Sequence, residues 1–485
     1  MVINLFAVAR ILGPVLMALA VAGLIPTCYA AITHTDGVVS FALMSGISLC
    51  SGKIISLIGK CRAHESLTIR ELFLFTTSMW ICIALISAIP IYFELPDVDY
   101  AGAIFESASA LSTTGATTIT HLDSRPQAVL LWRSILQLFG GIGFVVIAVA
   151  VLPQAATGGM NIFKTESISF ENSSKFTPHV KTMSLVILGW YIITLILCTT
   201  SFILGGMDLF LAINTAMCTV ATGGMMPIDA SMNGMSPLVQ YSAAVFMFLS
   251  SCPFVVIIAG VAGNILKPWR DQQIRGYFFF TLAISIVIAA TLVVQNDYSY
   301  EKAWRIAFFN VTSVLSTSGF ALEDFTKWND LATFIFLVIL PIGGCSGSTS
   351  GGIKYFRIQV ALSLLRTQLI KSIHPQRVIE PQFNHYVLDS DTVNRVLTFI
   401  ASYLLIALIS TIIAIALGLN IIDAITASLS CLSNIGPAMG PELNPSSTFA
   451  ELDPSLHVLF ACDMLLGRLE IIPVILLLTR LFWRA

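Results

Sequence analysis

AIFESASALSTTG (Ala103–Gly115), AINTAMCTVATGG (Ala212–Gly224), AFFNVTSVLSTSG (Ala307–Gly319) and AITASLSCLSNIG (Ala424–Gly436) are four versions of one pattern within a single chain. Each opens on alanine and an apolar residue, carries an aliphatic residue four before its end (Leu111, Val220, Leu315, Leu432), and closes on glycine. The closing glycines recur about a hundred residues apart, so the chain is internally repeated. A helix of about a dozen residues is roughly 18 Å long, short of the roughly 30 Å needed to cross a bilayer. Each pattern therefore reads as a short helix leading into a small, hydroxyl-rich tract.

The surroundings are membrane-like. Of 485 residues, 56% are hydrophobic and 11% charged, against roughly 25% charged in an ordinary soluble domain. Apolar runs of at least about 18 residues are predicted to span near Ile11–Ile32, Val38–Leu57, Leu72–Phe93, Val129–Leu152, Met183–Leu204, Leu238–Leu266, Tyr277–Val294, Leu397–Ala416 and Leu456–Leu478. Leu331–Ile370 is long but interrupted, which makes about ten membrane elements and no soluble domain. Arg10 followed by an apolar run ending in Cys28-Tyr29-Ala30 has the look of a secretory leader, but the run is long and others follow, so it reads as a span. Ten cysteines without a CxxC pair, nearly all inside apolar runs, indicate neither a zinc site nor a disulfide framework.

Basic residues resist translocation, so their clustering sets orientation. Lys53, Lys60, Arg62 and Arg70; Lys164, Lys175 and Lys181; Lys267, Arg270 and Arg275; the set from Lys354 to Arg395; and Arg480 with Arg484 fall on one side, the cytoplasm. The other connections hold Asp97, Asp99, Asp123, Asp229, Glu323, Asp324, Glu442 and Asp453 with few bases, and their field gathers cations. Nothing suggests a nucleic-acid partner; lipid surrounds the chain.

All four glycine tracts then lie toward the outside, each after a span and a short helix and before another span. Non-helical backbone at membrane depth is tolerated only where it is buried in protein or lines a wet cavity, and four such tracts call for one shared pore. The expected fold is an all-α integral membrane protein with a fourfold pseudo-symmetric span, pore helix, span repeat around a central pore, and two extra N-terminal transmembrane helices. Its divisions are residues 1–66 for the two N-terminal helices, then repeats at 67–155, 156–270, 271–375 and 376–485. Backbone carbonyls can replace the water of a dehydrating cation, and the C-terminal dipole ends of the short helices favour a cation at the centre. The candidate filter is Ser112, Thr113, Thr114 and Gly115; Ala221, Thr222, Gly223 and Gly224; Ser316, Thr317, Ser318 and Gly319; Ser433, Asn434, Ile435 and Gly436. Ile435 and Pro437 make the fourth tract the least regular.

TTGAT at Thr113–Thr117, VATGGM at Val220–Met225, LSTSGF at Leu315–Phe320 and LSNIGP at Leu432–Pro437 carry a resemblance covering nearly the whole chain. It resembles the Trk/Ktr/HKT superfamily of potassium transporters, most closely the bacterial Trk type. The resemblance implies potassium, with rubidium following it, because the first-repeat position is Gly115 rather than serine. It also implies a homodimer in the bacterial cytoplasmic membrane and control by a separate cytoplasmic TrkA-like nucleotide-binding subunit. No nucleotide fingerprint is present, so this chain is expected to bind potassium and no nucleotide.

LPIGGCSGSTSGGIKYF (Leu340–Phe356) interrupts an apolar stretch with a flexible, Gly-rich break. Gly343, Gly344, Cys345, Ser346, Gly347, Ser348, Thr349, Ser350, Gly351 and Gly352 either connect two half-membrane helices or cross the conduction path as a gate, which is the role the resemblance implies. Arg468, placed by the apolar pattern near the middle of the last span, costs several kcal/mol unless it faces water or a partner. It either pairs with Asp463 or Glu470, or projects into the pore, as the resemblance implies. Arg133, with Gln137, is expected to snorkel or to brace the first short helix, without an ion-binding role. Ser372–Asp391 is too polar for the membrane and reads as a solvated loop. The competing function is a secondary transporter of a small solute using broken helices, whose folds usually repeat two halves rather than four parallel units. An enzyme is excluded by histidines scattered mostly outside the spans and by the want of a paired-acid or metal cluster.

Overall fold

The structure, a computed structural model, describes residues 3–60, 68–150, 180–264, 266–384 and 386–484. Arg62, His64, Lys164, Lys175 and His385, the end of the span reaching Leu152, and the divisions after residues 66 and 155 lie outside the described residues. The described chain is predominantly helical, as a bilayer favours for a backbone that must satisfy itself.

Helices α1 (Leu5–Thr33) and α2 (Val38–Lys60) form an N-terminal hairpin. Their glycines let the backbones touch: a β-carbon on Gly13 would lie 2.6 Å from Gly52 O, and one on Gly59 2.3 Å from Arg10 N. Such close approach is how helices gain dispersion energy in a solvent as apolar as their side chains. Next come α3 (Ile69–Glu94), α4 (Tyr100–Leu111) and α5 (Gln127–Ala150). A Thr68–Glu71 capping box starts α3. Then follow α6 (Val180–Leu204), α7 (Leu209–Val220), α8 (Pro237–Ser250) and α9 (Phe254–Ala262). The third group is α10 (Gln272–Asn296), α11 (Tyr300–Leu315), α12 (Asp330–Ile339) and α13 (Tyr355–Ile373). The last is α14 (Ser390–Ala416), α15 (Ile421–Ser433), α16 (Pro454–Arg468) and α17 (Ile472–Leu478).

Among the described residues, α1, α2, α3, α6, α10 and α14 are long and apolar enough to cross a membrane. Two expected spans are broken instead. Leu238–Leu266 is not one helix: α8 and α9 meet at 100°, because Pro253 has no N–H with which to continue the ladder. The last span stops at Arg468, where Glu470 and Ile471 take positive φ (61° and 57°) before α17 begins. Arg468 is thus at a helix end rather than mid-helix. The interruption expected in Leu331–Ile370 is present, with residues 340–354 non-helical between α12 and α13.

The polar stretch before α14 is more ordered than a solvated loop. Gln382–Phe383 pairs antiparallel with Tyr386–Val387, Phe383 packs edge-on against Phe356 at 4.7 Å, and Gln272 and Asn384 exchange two bonds of 2.7 and 2.8 Å. Phe383 anchors it to α13, and the Gln272–Asn384 pair ties it to the start of α10, contacts that composition does not reveal.

Candidate functional site

The four short helices α4, α7, α11 and α15 begin alike. Asp99, Asp208 and Asn420 accept bonds from Gly102, Phe210 and Ile422 N–H at 2.7, 3.1 and 3.1 Å, satisfying donors a helix start leaves open. Ser299 stands at the same place before α11 without such a bond. The alanines that open the four patterns, Ala103, Ala212, Ala307 and Ala424, are fully buried. A larger side chain there would push the helices apart.

The tracts that follow share one backbone shape. Thr113, Thr222, Thr317 and Asn434 sit in the left-handed region (φ 57°, 53°, 57° and 57°), and two residues later Gly115, Gly224, Gly319 and Gly436 again have positive φ (92°, 72°, 77° and 103°). Between them the N–H of Thr114, Gly223, Ser318 and Ile435 donates to the carbonyl five residues back at 2.9, 2.8, 2.8 and 3.0 Å. A left-handed threonine costs roughly 1–2 kcal/mol; the surrounding packing holds that geometry at matched positions.

The four tracts meet in a closed ring. A β-carbon on Gly115 would lie 2.4 Å from Gly223 O, one on Gly224 1.9 Å from Ser318 O, one on Gly319 1.8 Å from Ile435 O, and one on Gly436 2.6 Å from Thr114 O. Each glycine therefore lies against the carbonyl of the next tract, and the fourth returns to the first. All four glycines line one cavity of about 440 Å³, whose wall also holds Asp229, Glu323, Asp324 and Arg133. The short helices aim their C-terminal, partially negative ends at the same ring.

Opposite that cavity the ring rests on residues 340–354. Thr222 Oγ1 donates to Thr349 Oγ1 at 3.1 Å, Gly351 N donates to Thr317 Oγ1 at 2.7 Å, and a β-carbon on Gly351 would meet Ser433 O at 2.4 Å. The segment is pinned at its base by the Gly343 N to Ile353 O bond of 2.9 Å, and laterally by the Cys345 N to Ser251 O bond of 2.8 Å. Two carbonyls at the bend between α8 and α9, those of Ser250 and Ser251, accept from the N–H groups of Thr349 and Cys345. Cys345, Ser348 and Thr349 are fully buried.

Arg468, 1% exposed, donates from Nη1 to Thr349 O at 2.7 Å and from Nη2 to Gly140 O of α5 at 3.1 Å. The acids considered as its partners are engaged elsewhere: Glu470 pairs with Arg357 at 2.5 Å, and Asp463 accepts from Ser410 Oγ. Arg468 thus ties residues 340–354 to α5.

Arg133 does brace the first short helix. Its Nε lies 2.7 Å from Glu106 Oε1 of α4, both side chains being buried, and Glu106 also accepts from Thr118 N at 2.8 Å and Thr117 Oγ1 at 3.0 Å. Glu106 was missed by sequence reasoning, although an acid midway through an apolar short helix signals a buried partner. Gln137 hydrogen-bonds the second tract, donating to Gly223 O at 2.6 Å.

Comparison with known proteins matches residues 42–482 to the family model TrkH, a cation transport protein. The chain belongs to the TrkH family. The Trk system potassium uptake protein TrkI of Halomonas elongata is 33% identical over 98% of this chain and 96% of its own length. The TrkH protein of Escherichia coli K12 is 31% identical over 99% of each chain. The crystal structure of the potassium transporter TrkH from Vibrio parahaemolyticus superposes with a TM-score of 0.90 at 30% identity, over 99% of this chain and all of that one. With its long apolar helices, this TrkH-family chain is a multi-pass inner-membrane protein, and its family comprises transporters rather than enzymes.

Proposed function

We infer that the chain carries potassium across the cytoplasmic membrane through the ring made by its four tracts. The observation that bears most weight is the closure of that ring, with each glycine against the next tract's carbonyl and all four on one outer cavity. Under this reading, residues 67–155, 156–270, 271–375 and 376–485 are four repeats around the pore, and residues 1–66 stand outside them. Ser112–Gly115, Ala221–Gly224, Ser316–Gly319 and Ser433–Gly436 form the filter, whose carbonyls take the place of the ion's water. The relatives named as potassium uptake proteins, and the glycine at the first-repeat position, support potassium over sodium.

Residues 343–352 act as the gate. Support for this comes from the segment's bonds to Thr222 and Thr317 of the ring and from the bond of Arg468 to Thr349 O, by which the arginine would hold the segment and add a positive charge to the path. The names of the relatives describe a Trk system, and the reading keeps a homodimer and a cytoplasmic TrkA-like nucleotide-binding subunit as partners, with no nucleotide bound by this chain. A small-solute transporter with broken helices accommodates the 100° bend but gives no reason for a closed ring of four matched carbonyls. Flux of potassium, rubidium and sodium in proteoliposomes decides between them: the reading expects potassium and rubidium well ahead of sodium, and saturable organic-solute uptake without ion flux would overturn it.

A further inference from the structure

Matched positions in the tracts are not braced alike. Six residues before the ring glycine, Ser109 and Ser313 donate to the carbonyl just after it, Ala116 O at 2.6 Å and Phe320 O at 2.7 Å. Three and one residues before the glycine, Ser112 bonds Thr114 at 2.6 Å and Ser316 bonds Ser318 at 2.9 Å through their hydroxyls. The first and third tracts therefore tie themselves down with their own side chains. The second has Cys218, Ala221 and Gly223 at the three corresponding positions and can make neither tie.

Gln137 of α5 stands in that gap. Its Nε2 donates to Gly223 O at 2.6 Å, and its Oε1 accepts from Met225 N at 3.4 Å, so one amide grips the tract on both sides of Gly224. The side chain is fully buried, and a β-carbon on Gly223 would lie 2.5 Å from Gln137 Cδ, so the missing side chain of the tract and the intruding glutamine occupy the same space. One turn earlier on α5, Ser134 Oγ lies 3.5 Å from Cys218 Sγ, the other position where the serine is missing. Gly223 O belongs to the ring, being the carbonyl against Gly115. A carbonyl oxygen has two lone pairs, so accepting from Gln137 leaves one for an ion while fixing the peptide plane.

We propose that Gln137 is the positioning residue of the second tract, holding the Gly223 carbonyl in the ring from outside the tract and thereby setting ion selectivity. This rests on the filter reading above. Gln137 makes no contact with the ion; it acts through Gly223.

The test uses full-length protein in proteoliposomes, with potassium and sodium flux measured for wild type, Q137M, Q137A and the triple variant Q137A/A221S/G223S. Methionine keeps the length of the side chain without either bond. The triple variant vacates the glutamine's space and supplies the hydroxyl pair that the third tract uses. Loss of one buried hydrogen bond corresponds to roughly two- to tenfold in an equilibrium, so the potassium-to-sodium ratio of Q137M and Q137A is expected to fall by about that factor, and the triple variant to recover at least half of the loss. A folded Q137M with the wild-type ratio, or a triple variant no more selective than Q137A, overturns the proposal; so does a variant whose thermal stability falls while its ratio stays. If the wild type itself does not prefer potassium to sodium, the filter reading fails and this proposal with it. If the wild type is selective and Q137M matches it, this proposal alone fails.

Discussion

Replacing Gly319 by alanine separates two effects that a glycine at positive φ combines. At φ 77° the substitution carries the left-handed strain of any L side chain, roughly 1–2 kcal/mol. Its β-carbon would also lie 1.8 Å from Ile435 O and 2.9 Å from Pro437 Cδ, where contacts under 3.0 Å essentially never occur. The Ile435 carbonyl must therefore retreat by more than about an ångström, which removes it from the ring whose oxygens, under the proposed filter, replace an ion's hydration. A contact between a dipole and a charged group is worth about 1.5–3 kcal/mol, so selective potassium flux should fall by roughly ten- to a hundredfold. Gly206 supplies the control: it has φ 95° with no atom within 4 Å of its would-be β-carbon. Gly206→Ala should lower thermal stability by a similar strain yet keep wild-type selectivity. Potassium, rubidium and sodium flux, with melting curves of both variants, makes the comparison. Equal selectivity in the two variants would refute the reasoning, because both carry the backbone strain and only Gly319→Ala disturbs the ring.

The gate reading expects deletion of part of Gly343–Gly352 to raise flux, and unchanged or lower flux in a well-expressed deletion would count against a barrier. Arg468→Ala, which frees Thr349 O and removes a positive charge, should likewise increase conductance at unchanged ion preference; a product that merely misfolds would favour a structural arginine. Glu106→Gln leaves the buried Arg133 without its counter-charge and should cost about 3–5 kcal/mol of stability, read as a clear drop in melting temperature in detergent. A shift within error would mean the pair is not a principal anchor of the first short helix.

Much of the fold was legible because the bilayer forces helices, and because the four patterns place glycine at the same offset from alanine. Gly115, Gly224, Gly319 and Gly436 are found at matched backbone positions for that reason. What the apolar pattern could not reveal is where a long run bends. Leu238–Leu266 stays apolar through Ser251-Cys252-Pro253, and the carbonyls freed at the bend are satisfied by Cys345 and Thr349, nearly a hundred residues away. Arg468 is another such case: nearby Asp463 and Glu470 offered themselves as partners in sequence, while its bonds run to Thr349 and Gly140 across the fold. The contact of Gln137 with Gly223 could have been suspected only from the missing serines of the second tract, a signal that needs the repeats compared position by position.

The most direct measurement is potassium, rubidium and sodium flux in proteoliposomes for the wild type and Gly115→Ser. The serine β-carbon would lie 2.4 Å from Gly223 O at φ 92°, so the first tract must give way at the ring. The account predicts a wild type that carries potassium and rubidium ahead of sodium and a variant that loses the preference while still carrying ions. A variant as selective as the wild type, or a wild type that moves none of the three ions, would contradict it.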